Sequence, residues 1–189
     1  MTSNQHVMFL QRFIKNPQRV GSVMPSSRFL ASKMVQSVPW DEVTAMAELG
    51  SGTGAVTRLI GRQATPSAKV LLFELDDKMR CDLQTTYPHF SCHSNACHLI
   101  ETMKQKGIRQ LDCLISGLPF FNFDSGLREH LIDQIAEALK PGGYFIAFQY
   151  SLQMKKHLSE KFMIEKIDFV PLNFPPAFVY TCRKKGGFR

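Results

Sequence analysis

Glu48-Leu49-Gly50-Ser51-Gly52-Thr53-Gly54 is the stretch that decides the fold of this 189-residue chain. Three glycines at every second position directly follow a short apolar run, the pattern of a strand that turns sharply into a helix. Glycine permits the positive φ values of such a turn and lets a ligand approach the backbone. The spacing is G-x-G-x-G with an acidic residue two positions ahead, whereas the dinucleotide fingerprint runs G-x-G-x-x-G. The difference favours a nucleoside without a pyrophosphate. Glu74 ends the next apolar run, 24 residues beyond Gly50. A carboxylate at the tip of a second strand is where nucleotide-binding α/β folds grip ribose hydroxyls.

Outward from this turn, strands and helices alternate. The spacing predicts strands over 43–49, 69–74, 90–94, 111–116 and 143–150. Helices are expected between them over 53–63, 77–86, 97–106 and 125–139, the last stopped by Pro141-Gly142-Gly143. After a helix near 152–160, two strands over 163–170 and 177–183 are joined by a proline-rich turn, which implies one antiparallel member in a mostly parallel sheet. The expected fold is therefore α/β: a Rossmann-like, seven-stranded, mostly parallel sheet with helices on both faces and an antiparallel last strand. Residues 41–189 form that domain and residues 1–40 a helical extension. Within the extension, Phe9, Leu10, Phe13 and Ile14 share one face of a helix over 5–15, which either packs on the domain or lies in a membrane interface. Ser26 and Ser27 either cap a helix running to about Val38 or, with Arg28, hold an anion.

Composition bounds the partners. A net charge of +7 favours polyanions, either nucleic acid or anionic phospholipid. Cations gather at both ends, in Arg12, Lys15, Arg19, Arg28 and Lys33 and again in Arg183, Lys184, Lys185 and Arg189, so both ends are expected to reach such a partner. Five cysteines without a CxxC pair argue against a disulfide framework and for a reducing, cytoplasmic setting. The windows free of charged residues, such as 141–154 and 169–182, are too short for a spanning helix, so any membrane contact is expected to be peripheral. His89, Cys92, His93, Cys97 and His98 cluster without the spacing of a zinc ligand set, and no metal is expected.

Together, the glycine loop and Glu74 resemble the S-adenosylmethionine (SAM) site of class I methyltransferases. The resemblance places SAM against Glu48, Gly50, Ser51, Gly52, Thr53, Gly54, Glu74 and Leu75. It sets the adenine beside Asn95 and Ala96, where relatives often read Gly-Asp-Ala, with the Asn95 carbonyl expected to accept from the adenine amino group. Ser116-Gly117-Leu118-Pro119-Phe120 resembles the N-L-P-Y type motif of amine-methylating members, in which a proline-stiffened loop turns backbone carbonyls to the acceptor nitrogen and an aromatic packs on the substrate. Methyl transfer is an in-line displacement, so aiming the nitrogen supplies much of the rate. Gly117 stands where many nucleic-acid enzymes carry Asn or Asp, which weakens an adenine acceptor. Tyr150, Asp124, His130 or water is the expected base.

The segment from Phe9 to Met34, with its N-P-x-x-V-G-S-V-x-P-S-S-R stretch, narrows the resemblance to bacterial phospholipid N-methyltransferases, which act on phosphatidylethanolamine. This implies an N-terminal helix on the membrane and a loop of Ser26, Ser27 and Arg28 near the headgroup phosphate. No obligate protein partner is expected. The competitor is a ribosomal RNA adenine dimethylase, which usually carries a further helical domain, whereas here the chain is expected to close with the sheet. A small-molecule amine methyltransferase and a non-catalytic SAM-binding module are further alternatives.

Overall fold

The computed structural model describes residues 27–186. The expected helix over 5–15 and Ser26 lie outside the described residues. Helix α1 (Arg28–Gln36) is capped by Ser27, whose side chain accepts from the Leu30 N–H. Then follow β1 (Ala45–Leu49), α2 (Thr57–Gln63), β2 (Lys69–Phe73), α3 (Asp77–Thr86), β3 (Ser91–His93), α4 (Leu99–Gln105) and β4 (Leu111–Ser116). The chain continues through α5 (Ser125–Ala138), β5 (Leu139–Gln149), α6 (Met154–Lys161), β6 (Phe162–Val170) and β7 (Ala177–Lys184).

The seven strands form one sheet in the order β3-β2-β1-β4-β5-β7-β6, with only β7 antiparallel to its neighbours. Strand β1 is buried at every position, as a central parallel strand covered on both faces must be. Its alternate residues serve two cores. Ala45, Ala47 and Leu49 join Phe73, Leu114 and Phe145 beneath α4, α5 and α6, while Met46 joins Leu72, Ile115 and Ile146 beneath α1 and α2. Because β1 pairs with β2 on one side and β4 on the other, strand order reverses there, and the carboxyl ends of these strands open the crevice where ligands bind.

Two boundaries depart from the sequence pattern. Helix α2 begins at Thr57 rather than at residue 53, because residues 51–56 are spent on the tight turn, closed by the Gly54 N–H on the Ser51 carbonyl at 2.9 Å. Strand β5 begins at Leu139, directly after α5, and carries Pro141 and Gly142 (φ 72°) where the pairing with β4 shifts register.

The C-terminal cations Arg183, Lys184 and Lys185 bond backbone carbonyls. Because β7 is antiparallel, Arg183 and Lys184 lie at the edge opposite the crevice, donating to the carbonyls of Gly142 (2.6 Å) and Leu139 (2.6 Å). Lys185 likewise bonds the Ser159 carbonyl at 2.7 Å.

At that same edge Asp112 fastens the entry to β1. Its carboxylate accepts from Thr44 N and Oγ1, both at 2.8 Å, and from Ala45 N at 3.0 Å, and pairs with Lys140 at 2.6 Å. Burial alone would raise its pKa, but Lys140 and the bonds from Thr44 and Ala45 outweigh that and hold it at about 2. A depressed carboxylate stabilises above its unfolded pKa and loses that contribution as pH falls through the folded value. Asp112→Asn should therefore lower the unfolding free energy by about 1 kcal/mol at pH 7, in denaturant titrations, with the gap to wild type closing below pH 3.8.

Candidate active site

The turn after β1 is pinned to β2. The N–H groups of Gly50 and Ser51 both donate to the Phe73 carbonyl, at 2.8 and 3.1 Å. Gly50, Gly52 and Gly54 have φ of 73°, 54° and 82°, values that side chains rarely adopt. A Cβ at Gly52 would meet no protein atom within 4 Å, so this position faces open space, and Thr53 beside it is exposed. Glu74, just beyond β2, spans the turn: Oε2 accepts from the Gly52 N–H at 2.6 Å and Oε1 from the Asp76 N–H at 2.9 Å. The carboxylate thus sits beside the glycine backbone, where a ribose bound over the loop would meet it, and half-buried Leu75 follows.

Glu48, in β1 itself, is 2% exposed and accepts from the Thr57 hydroxyl at 2.6 Å. Desolvation pushes its pKa up to about 7; the Thr57 and Ser51 hydroxyls pull against the shift, and the neighbouring Glu74 charge adds to it. A buried carboxylate held in this way gains most from an incoming cation such as a ligand ammonium. Ser51 Oγ lies against it, buried, without a full hydrogen bond.

At the end of β3, Asn95 is 6% exposed and its Oδ1 accepts from the Cys97 N–H at 2.9 Å, capping the short turn Ala96–His98. Its Nδ2 is buried without a partner. The Asn95 oxygen thus already takes one backbone bond, and the polar atom on this side chain with no partner is a donor, suited to a ring nitrogen. Ala96 is buried beside it. The unpartnered donor Asn95 Nδ2 and the acceptor carboxylates Glu48 and Glu74 make a set that fits a nucleoside bearing an amino acid, such as SAM.

The loop after β4 meets this turn directly. The Gly117 N–H donates to the Leu49 carbonyl at 2.8 Å, and a Cβ on Gly117 would lie 2.9 Å from the Gly50 oxygen. Gly117 is therefore glycine because two backbones touch there. Ser116 Oγ accepts from the Leu118 N–H at 3.1 Å, and Gln149, 3% exposed at the end of β5, donates to the Leu118 carbonyl at 3.0 Å. Pro119 then leads into a turn of 3-10 helix, Phe120–Asn122.

The aromatic of this loop is reassigned. Phe120 is fully buried and lies edge-on to Phe123 and Phe145, so it belongs to the core; Phe121, 45% exposed, is the ring presented outward. Tyr150 packs edge-on against Phe148, and burial raises its pKa, which keeps the phenol protonated at neutral pH. Asp124 caps α5 through the Leu127 N–H at 2.8 Å, and the His130 ring lies 2.9 Å from the Gln134 amide. Ser27 caps α1, as one of its two readings required, while Arg28 is exposed with its guanidinium 4.8 Å from the Phe29 ring centre. Cys92 packs with the α1–α2 core, whereas His93 lies 5.4 Å from the Phe73 ring. No group of three or more His, Cys, Asp or Glu side chains that could hold a metal occurs among the described residues. Gln149 and Thr57 were not singled out from the sequence; the only sign of Gln149 was a polar residue ending an apolar strand.

No family model matches the chain. An ornithine lipid N-methyltransferase from Singulisphaera acidiphila is 29% identical over 182 residues, 93% of this chain and 94% of that protein. The solved structure of a 1,6-didemethyltoxoflavin-N1-methyltransferase from Burkholderia thailandensis, with bound S-adenosylhomocysteine, superposes with a TM-score of 0.73 at 13% identity, covering 98% of this chain and 92% of that one. The chain has the class I SAM-dependent methyltransferase fold. The N-methyltransferase NodS from Bradyrhizobium japonicum WM9 shares it, with a TM-score of 0.66 at 12% identity over 84% of this chain and 94% of that one. The glycine loop, Glu48 and Glu74 lie at the ends of β1 and β2, and the Leu118 loop at the end of β4.

Two substitutions separate these sides. An acid whose folded pKa is raised contributes its stability below the unfolded pKa and loses it as pH rises through the folded one, here between 4.5 and about 7. Glu48→Gln should thus stabilise the ligand-free protein at pH 8 by about 2 kcal/mol in thermal or denaturant unfolding, while weakening SAM binding roughly tenfold or more. Gln149→Leu should lower kcat about tenfold and leave SAM affinity unchanged in calorimetry, because it removes one of the two bonds, from Gln149 and from the Phe120 N–H, that fix the Leu118 carbonyl, without touching the glycine loop.

Proposed function

We propose that this chain is a SAM-dependent N-methyltransferase whose acceptor is the primary amine of a membrane-lipid headgroup. The observation that carries the reading is the fixed Leu118 carbonyl, held by Gln149 at the tip of β4 and joined through Gly117 to the loop that faces the cofactor. Bound SAM supplies an electrophilic methyl group. Glu48 would hold the ligand's ammonium, Glu74 its ribose hydroxyls, and Asn95 Nδ2 a ring nitrogen of the adenine. The loop that presents the Leu118 carbonyl, which Gln149 and the Phe120 N–H both fix, would line the acceptor amine and so aim its lone pair, an orientation effect of the kind that supplies much of a displacement's rate. The protonated Tyr150 phenol suits positioning rather than proton removal, and water is the base that best fits the site.

Support for a lipid comes from the relative named for ornithine lipid. Phosphatidylethanolamine, the headgroup suggested by the N-terminal segment, also presents a primary amine, and both fit a site in which the Leu118 loop lines the amine. Among the described residues no helix is long and apolar enough to cross a membrane, so the enzyme would meet its lipid at the bilayer surface. A nucleic-acid acceptor is disfavoured because Gly117 offers no side-chain oxygen to hold an exocyclic base amine. Labelled SAM offered in parallel to phosphatidylethanolamine, ornithine lipid and unmethylated ribosomal RNA should label a lipid. Label in RNA with none in either lipid would refute the assignment.

A further inference from the structure

The apolar residues exposed on this molecule are unevenly placed. Strands β4, β5 and β6 run parallel, so the segments that follow them emerge at one edge of the sheet, the edge that carries the Leu118 loop. Phe121 follows β4, Leu152 follows β5, and Leu172 and Phe174 follow β6, with exposures of 45%, 48%, 62% and 76%. Phe29, 43% exposed, joins them, because the Ser27 N–H at the head of α1 donates to Asn173 Oδ1 at 3.0 Å.

The β6–β7 turn is inverted in polarity. Asn173, its central polar residue, is 7% exposed and points inward, where its amide also donates to the Pro175 carbonyl at 2.7 Å. Leu172 and Phe174 on either side are thereby turned out into solvent. A loop ordinarily does the reverse, and the two hydrogen bonds of Asn173 hold this arrangement in place. The apolar tips are also flanked by cations. Arg28 stacks on Phe29, Arg128 reaches toward the Phe121 carbonyl at 3.5 Å, and exposed Lys155 and Lys156 follow Leu152. Of the nearby acids, Asp168 is paired with Lys33 and Lys166, whereas Asp124 and Glu129 remain exposed near Phe121. Apolar tips with basic neighbours around one opening match an anionic lipid interface, where side chains enter the acyl boundary and cations meet headgroups.

Resting on the lipid reading above, we propose that the tips after β4, β5 and β6 dock on an anionic bilayer, with Leu172 and Phe174 as the inserting anchors. Docking in this way sets the Leu118 loop against the headgroup layer, so that the amine reaches the site without the lipid leaving the membrane. The cofactor half of the crevice, over β1, β2 and β3, stays in water, free to exchange its ligand.

The test is co-sedimentation with vesicles of phosphatidylglycerol and phosphatidylcholine at low salt, comparing wild type, Leu172→Ser/Phe174→Ser and Met163→Ser. Met163 is 55% exposed but lies at the start of β6, on the opposite edge, and serves as the control. The double variant should bind these vesicles at least tenfold more weakly, with SAM affinity and methyl transfer to detergent-dispersed lipid unchanged, and Met163→Ser should bind as wild type does. The proposal is overturned if the double variant sediments like wild type, if Met163→Ser loses as much, or if wild type does not bind vesicles at all. Failure of wild type to methylate detergent-dispersed lipid would instead overturn the lipid reading, because that assay needs no docking.

Discussion

Everything at the crevice depends on the close approach of two backbones, the Gly117 N–H on the Leu49 carbonyl with no room for a side chain against Gly50. A parallel sheet brings the tips of β1 and β4 side by side because strand order reverses at β1, but it does not by itself join the loops that follow them. The hydrogen bond at 2.8 Å makes that join, and any Cβ at position 117 would push the loops apart. With it in place, the edge of the sheet divides. Glu48, the glycine turn, Glu74 and Asn95 occupy the ends of β1, β2 and β3, while the Leu118 loop, Gln149 and the apolar tips occupy the ends of β4, β5 and β6. The proposed transfer from a soluble cofactor to a membrane-lipid acceptor would use that division.

The cofactor half is built at a cost to the resting fold. A carboxylate buried to 2% in the central strand, with a second carboxylate near it, is a poor contribution to a core at neutral pH. The Thr57 and Ser51 hydroxyls soften this cost without removing it. Asn95 Nδ2 adds a buried polar group without a hydrogen-bond partner. Deficits of this kind are relieved only by a ligand carrying a cation and matching polar edges, so the site selects for what it lacks.

Much of this was legible in the sequence because it is periodic. Alternating apolar runs gave the sheet, its single antiparallel strand and most element bounds, and the G-x-G-x-G turn with Glu74 marked the crevice. What stayed hidden depended on contacts between distant residues. Adjacent aromatics at Phe120 and Phe121 look alike until Phe123 and Phe145 claim the first. That Asn95 holds the Cys97 N–H with its oxygen and leaves Nδ2 without a partner shows only in the folded turn. That β7 carries the basic run Arg183-Lys184-Lys185 to the edge opposite the crevice, onto the carbonyls of Gly142, Leu139 and Ser159, shows only in the sheet. Gln149 gave almost no signal, since its role rests on a carbonyl 31 positions away in the chain.

The central claim is that the turn after β1 and the Glu74 carboxylate together hold the nucleoside of SAM. Calorimetric titration of SAM into wild type and into Glu74→Ala, with folding of both checked by thermal unfolding, tests it most directly. The account predicts one binding site in wild type and a loss of roughly tenfold or more in the variant, from the missing charged acceptor for the ribose hydroxyls. Equal affinity in two folded proteins would contradict it.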